Sequence, residues 1–435
     1  GYGFGLISFS ILTAIYALIS GRFTKWSGIG IVLILTLIGI GLWFKQREKF
    51  SGGKYLPSQY MPQIDVWFGI YLLLAGIAGT LAIGRGYSVT DEIQIWGLKG
   101  YGLSLSGQIQ QITQWGTNTS AYPLHVPLLI ANFKLILGDH LPAAKFLFSL
   151  YYLSLILFLD SCLRSAGIAK PYRGVINLVV ANTPLIFRHA SLAYANLPFT
   201  FYLFSGSVLL WESITSLPSQ VAQAERSSSS KTVWLALLLL CGAAWTRPEG
   251  LALIWLLIGG LIVGVKIKNI SLSFPFWAAI GVPLMVYMLF WWLIKLQAYP
   301  QPLKDAAIVS LAFNQITHGN YHFNQGFYLI YQWLARFSQW DIWGASGFGL
   351  WLLGLIALVN RKHIFHGSFP YLFSGLIFTL AMIGIYYIFS FDSKHDLSWW
   401  LNTGFDRMNL PGWLFFYYGL ILAFFHPQRN QGASD

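Results

Sequence analysis

The sequence predicts an all-α fold: a polytopic membrane helical bundle of about twelve transmembrane helices, with interfacial helices in its outer loops. Three observations predict it. Of the 435 residues, 56% are hydrophobic and 10% charged, whereas soluble domains run at about 45–50% and about 25%. Twelve segments of the chain approach the roughly 20 apolar residues that a spanning helix needs. The aromatic share is 17%, with 19 Trp, 23 Tyr and 33 Phe, enough to supply belts at both membrane–water interfaces. A water-soluble globule is excluded.

Spans 3–20 and 28–44 are nearly unbroken apolar runs, followed by a connector with Lys45, Arg47, Lys49 and Lys54. Span 65–84 leads into the polar stretch 85–121. Residues 122–138 are apolar but carry Pro123, His125, Pro127, Asn132 and Lys134, which suits a helix lying at the interface better than one crossing hydrocarbon. Spans 143–160, 173–187 and 192–212 come next, with Arg164, Lys170 and Arg173 around the first connector. Spans 233–245 and 250–267 are joined by the tight turn Thr246-Arg247-Pro248-Glu249-Gly250, and 275–295, 344–360, 369–390 and 412–426 complete the set. Basic residues in short loops mark the cytoplasmic side. Placing there the two connectors above, with those holding Lys266 and Lys268 or Arg361 and Lys362, turns 85–121, 296–343 and 391–411 outward. The short turns 188–191 and 246–249 face outward with them. Chemistry is therefore expected on the outer face.

Lys and Arg number 27 against 15 Asp and Glu, a net charge of +12. In so apolar a chain that excess points to anionic lipid or a phosphorylated ligand, not to nucleic acid. Cys162 and Cys241 lie in or beside apolar runs, so no disulfide framework, zinc motif or redox pair is indicated. The run Ser227 to Ser230 reads as a flexible connector. The chain begins at glycine, so a signal peptide is not judged from it.

With only 15 carboxylates, sorting them by side narrows the search for a general base. Asp91, Glu92, Asp139, Glu249, Asp305, Asp341, Asp392, Asp396 and Asp406 fall outward. Adjacent Asp91 and Glu92 follow span 65–84 almost at once, and carboxylates near membrane depth are costly unless paired or used. Thr90 before them is a good N-cap, and acids in a first helical turn suit the helix dipole. Ile93, Trp96 and Leu103 then fall at spacings that give one apolar face. Arg188 and His189 end another span, and Arg247 sits in the outer turn with Glu249 to orient or neutralise it. Arginine matches phosphate with paired donors, although arginines at helix ends also snorkel toward headgroups. Asp392, His395 and Asp396 are candidate ligands for a divalent cation, but their spacing matches no metal motif, so no metal or cofactor is assigned. Lys394 inside that loop and Arg407 after it are expected to reach a lipid phosphate. His318 and His322 lack the Glu of a zinc protease, and Gly84-Arg85-Gly86 and Gly100-Tyr101-Gly102 lack a strand–turn–helix context.

Asp91-Glu92 after an early span, Trp96 and Lys99 next, then Tyr122-Pro123-Leu124-His125-Val126-Pro127-Leu128-Leu129, Ala195-Asn196-Leu197-Pro198 and Thr246-Arg247-Pro248-Glu249-Gly250 form an ordered set. In that order the chain resembles the GT-C glycosyltransferases, in particular the protein O-mannosyltransferase and aminoarabinose transferase-like membrane enzymes. The likeness covers roughly residues 65–270. It implies N-terminal transmembrane helices over 1–64, a catalytic transmembrane module over 65–295 with its first large outer loop at 85–142, and C-terminal outer loops and helices over 296–435. It implies transfer of a sugar from a polyprenyl-phosphate donor to an acceptor hydroxyl or similar group on a lipid, glycan or protein. Transfer would occur on the extracytoplasmic side of the cell membrane, usually with inversion at the sugar carbon. The family's catalytic aspartate falls on Asp91, with Glu92 its acidic neighbour; His125 falls near the site and Arg247 on the carrier phosphate. Lys99, Arg188, His189, Glu249, Lys394 and Arg407 join as substrate-binding candidates, and Asn196 stands where the family often has Asp. A transporter or flippase for lipid-linked sugars is one competing expectation, and a ligase or polymerase of lipid-linked glycans another. A transporter should show internal repeats and helices broken near mid-membrane.

Overall fold

The computed structural model describes residues 2–50, 64–115, 122–138, 140–215, 226–267, 274–298, 304–359, 368–392 and 394–431. Among the described residues every regular element is helical and no strand occurs. In chain order the helices are α1 (Tyr2–Ser20), α2 (Lys25–Phe50), α3 (Val66–Arg85), α4 (Leu98–Ser106), α5 (His125–Leu137), α6 (Phe146–Ser165), α7 (Lys170–Ala181), α8 (Pro184–Ala190) and α9 (Asn196–Thr215). They continue as α10 (Arg226–Thr246), α11 (Glu249–Ile267), α12 (Phe274–Ala298), α13 (Lys304–Thr317), α14 (Phe323–Arg336), α15 (Trp340–Val359), α16 (Phe369–Phe389), α17 (Leu397–Trp400) and α18 (Leu410–Gln431).

Among the described residues six stretches are long and apolar enough to cross a membrane: Tyr2–Ser20, Val66–Arg85, Leu141–Ser165, Ile280–Gln297, Trp340–Val359 and Phe369–Phe389. Leu397–Met408 and Leu410–Phe425, bent by 46° at Asn409, make a seventh if that pair is one span. Against an expectation of about twelve, the difference has two physical sources, and three further spans are described only in part. Span 173–187 is interrupted: Pro184 opens α8, and Thr183 before it is extended (φ −61°, ψ 119°), because proline disfavours the helical region in the preceding residue. Span 192–212 becomes α9, which is buried along almost its whole length and carries Asn196, Thr200, Ser205, Ser207 and Ser213. A helix walled by other helices need not be as apolar as one facing lipid. Spans 28–44, 233–245 and 250–267 fall in α2, α10 and α11, whose described apolar stretches are Lys25–Gly41, Thr232–Thr246 and Glu249–Gly260. Lys54, Asp139, Glu225, Lys268, Arg361 and Lys362 lie outside the described residues, as do the side chains of Glu48, Ser227 to Ser230 and Asp305.

Helix α9 is the hub, packing on α6, α8, α10, α11 and α18. Around it α3 packs on α6, α12 on α10, and both α15 and α16 on α18. One continuous apolar core joins buried residues from Ile7 to Ile421. Residues 122–138, expected at the interface, instead put α5 inside the protein: every residue from His125 to Asn132 is buried, against α1, α2 and α4. Its Pro127 costs nothing because the first turn has no intrahelical N–H bond to lose.

Candidate functional site

Helix α3 ends at Gly86, and the chain turns back through Tyr87, Ser88 and Val89 into a helix that starts as a π-turn at Glu92–Gly97. Thr90 was the expected cap, yet Glu92 does that work, its Oε2 accepting the Ser88 N–H at 3.0 Å. The side chain reaches back four residues, one more than the glutamate of a capping box does. The π-turn also breaks the expected apolar face: Trp96 and Leu103 are buried while Ile93 is exposed, since a wider turn changes the angle between successive residues.

The adjacent acids have separate environments. Glu92 Oε1 lies 2.7 Å from Lys145 Nζ, with both side chains at 0% exposure, and also accepts the Ala193 N–H at 2.8 Å. Lys145 Nζ donates as well to the Gly86 carbonyl and sits 5.4 Å from the Tyr87 ring. Glu92 is thus enclosed and its acceptors are used. Asp91 makes no cap bond; its Oδ2 accepts from Arg407 Nη2, and the two side chains are 33% and 23% exposed. This acid stands at an accessible surface.

Arg407 follows a second π-turn, Leu401–Phe405, at the bend before α18. Asn196 Nδ2 donates to the Arg407 carbonyl at 3.1 Å, which ties the bend to α9. The guanidinium lies 5.0 Å from the Tyr194 ring. Arg247 ends α10: its Nε donates to Glu249 Oε1 at 2.6 Å, and its guanidinium stands 5.8 Å from the Tyr122 ring, which meets Trp96 edge-on at 5.1 Å. Gly250 makes this turn possible, because a Cβ there would fall 2.7 Å from the Ala243 carbonyl oxygen.

Three arginines converge electrostatically on His189, which is buried and 5.3 Å from Tyr194. Burial, then the charges of Arg407, Arg188 and Arg247, lower its pKa to about 3, so it is a neutral imidazole at physiological pH. The Tyr194 hydroxyl feels Arg407, Asp91, Glu92 and Arg188, and the Tyr386 hydroxyl of α16 feels Arg407, Arg247, Asp406 and Glu249. Asp91, Arg188, His189, Asn196, Arg247, Glu249 and Arg407 therefore belong to one end of the bundle, with Arg188 exposed at the rim. Guanidinium groups of this kind are chemically suited to pair with a phosphate-class anion, and a carboxylate beside them to proton transfer.

Three sequence candidates lie apart from it. His125 is fully buried in a hydrogen-bond network with Ser10, Tyr151 and Tyr202. It does not reach the arginine cluster, because α5 turns into the core. Lys99 is buried with no partner for Nζ among the described residues, and burial lowers its pKa to about 7. Lys394 is exposed; Asp392 Oδ1 accepts its backbone N–H at 2.9 Å, while Asp396 caps α17 at the Trp399 N–H. Among the described residues no three His, Cys, Asp or Glu side chains are grouped to hold a metal ion. His318 caps its own helix at the Asn314 carbonyl, and His322 stacks on Phe391 at 4.1 Å.

Sequence reasoning missed Tyr194, Tyr386 and Lys145. A lysine four residues into an apolar run such as Leu141–Ser165 was the available signal, since a charge there calls for a partner. No protein-family model, curated protein or solved structure matches this chain.

Proposed function

We propose that the protein is an integral-membrane glycosyltransferase of the GT-C type, using a polyprenyl-phosphate-linked sugar and acting on the extracytoplasmic side of the cell membrane. One observation carries the reading: Asp91 and Arg407, 316 residues apart, are joined as an ion pair at the end where the charges of Arg188 and Arg247 also gather. That both members adjoin π-turns supports it further, because π-bulges are frequent at functional sites.

In this mechanism Asp91 accepts the proton of the acceptor hydroxyl as its oxygen bonds to the sugar carbon. The bond from that carbon to the phosphate oxygen breaks, and polyprenyl phosphate leaves with the electron pair. Charge grows on the phosphate as it departs, so Arg247, Arg407 and Arg188 stabilise the transition state more than the ground state. Neutral His189 contributes polarity without a competing charge. Glu92 holds the loop that carries Asp91 and takes no proton.

Asp91→Asn protein, purified and folded, should lose transfer from a polyprenyl-phosphate sugar by about 10²–10⁴-fold. Undiminished transfer would remove the assignment. A second reading, a transporter of lipid-linked sugars, draws on the broken helix at Asn409, since transporters place discontinuous helices at their sites. Uptake into vesicles with no glycosylated product would favour it, and transfer of whole oligosaccharides would favour a glycan ligase.

A further inference from the structure

Behind the Arg247 turn a line of hydrogen bonds crosses the bundle through five helices, α10, α1, α5, α6 and α9, and returns to α1. Trp245 Nε1 donates to Ser10 Oγ at 3.2 Å, and Ser10 Oγ lies 2.7 Å from His125 Nδ1. His125 Nε2 is 2.7 Å from the Tyr151 hydroxyl, which is 2.8 Å from the Tyr202 hydroxyl. Tyr202 donates to the Gly3 carbonyl at 2.9 Å. Ser10, His125, Tyr151, Tyr202 and Trp245 are all fully buried, so these bonds compete with no water.

The two ends fix the direction of every proton. An indole N–H only donates and a carbonyl only accepts. Tyr202 spends its proton on Gly3, so its oxygen accepts from Tyr151. Tyr151 has then spent its own, so its oxygen accepts from His125 Nε2–H. Nδ1 is left bare and accepts from Ser10, whose oxygen accepts from Trp245. Five donors are each used once. The other tautomer would send the Ser10 proton to the Ile7 carbonyl, 3.1 Å away. It would also leave Tyr202 one proton for two contacts, so either the Gly3 carbonyl or the Tyr151 oxygen would go without it. The neutral Nε2–H tautomer alone satisfies the whole line.

Both partners of the Arg247 contact lie close in sequence to members of this hub. Trp245 lies two residues before Arg247, and Tyr122, whose ring the guanidinium faces at 5.8 Å, lies three residues before His125. We propose that His125 and Ser10 are positioning residues for Arg247, holding Trp245 so that the guanidinium stays over Tyr122 and beside the other two arginines. The proposal rests on Arg247 being the phosphate ligand described above, and it makes α1 a working part of the site.

Phenylglyoxal labelling of the purified full chain, followed peptide by peptide, reads the position of Arg247 without any ligand. Trp245→Phe, which removes one N–H and keeps a ring, and Ser10→Ala should each speed labelling at Arg247 at least threefold. Labelling at Arg188 should stay unchanged, and Ser10→Thr should restore the slow rate at Arg247. Loss of one such bond should also weaken binding of a polyprenyl monophosphate in detergent by several-fold to about tenfold, and not in an Arg247→Lys background. Unchanged Arg247 labelling in both variants overturns the positioning. Faster labelling with unchanged polyprenyl monophosphate binding keeps the positioning and removes the phosphate role from Arg247.

Discussion

Asp91 and Glu92 are neighbours that should answer the same perturbation in opposite ways. Glu92→Gln removes the charge opposite Lys145 where both side chains have no exposure. The amide nitrogen it introduces also meets N–H donors at Ser88 or Ala193, both of which now bond the carboxylate. Removing one member of a buried ion pair leaves an uncompensated charge and costs about 3–5 kcal/mol. In a chain of this length that corresponds to a melting temperature lower by roughly 3–6 °C. Asp91→Asn breaks a pair whose side chains are 33% and 23% exposed; screened pairs of this kind contribute about 0–1 kcal/mol, so its melt should stay near that of the parent. The assay is thermal unfolding of each variant in mild detergent. Combining Glu92→Gln with Lys145→Met should recover much of the loss, because neither charge is then stranded. A Glu92→Gln protein that melts with the parent, or an Asp91→Asn protein that falls equally far, would refute the division of labour between the two acids.

Lys99 predicts a pH dependence. Its folded pKa of about 7 lies below the unfolded value near 10.4, so between those limits the unfolded chain binds a proton that the fold does not. Stability therefore rises with pH across that window by up to about 1.4 kcal/mol per unit and is flat below it; Lys99→Met should remove the slope between melts at pH 7 and pH 9. Gly250→Ala would press a Cβ to within 2.7 Å of the Ala243 carbonyl oxygen, and should cost about 1–3 kcal/mol together with weaker donor binding in a titration. Arg407→Gln should raise the KM for the polyprenyl-linked donor and lower kcat. A KM rise alone would assign Arg407 to ground-state binding only.

That the chain is a set of apolar helices was legible because runs of about 20 apolar residues bounded by charges leave few alternatives, although the break at Pro184 within 173–187 was not. Which helices meet lipid was not legible, since α9 earns its place by being wrapped on all sides, and its serines and Asn196 look unsuited to hydrocarbon until the neighbours are known. Asp91 and Arg247 stood out as charges beside spans. Their partners did not: Arg407 is 316 residues from Asp91, and Lys145 and Ala193 reach Glu92 from separate elements. His125 looked like a site residue because a histidine in an apolar stretch is conspicuous. Only the three-dimensional arrangement gives it Ser10 and Tyr151 as partners. The π-turn after Asp91 leaves no mark in composition, because it depends on one extra residue per turn and not on any residue type.

That extra residue sets where the acid points. Each residue of an α-helix advances by about 100°, so shortening 93–96 by one while the turn keeps its width would swing everything upstream of Trp96 by about that angle. Asp91 would then take the direction Glu92 has now, and Glu92 that of Ile93, with no change in the identity of either acid. Chain length at this point is thus a dial for aiming the carboxylate, separate from the chemistry of the residues around it, and a one-residue deletion can silence the site while leaving every side chain of the cluster in the sequence.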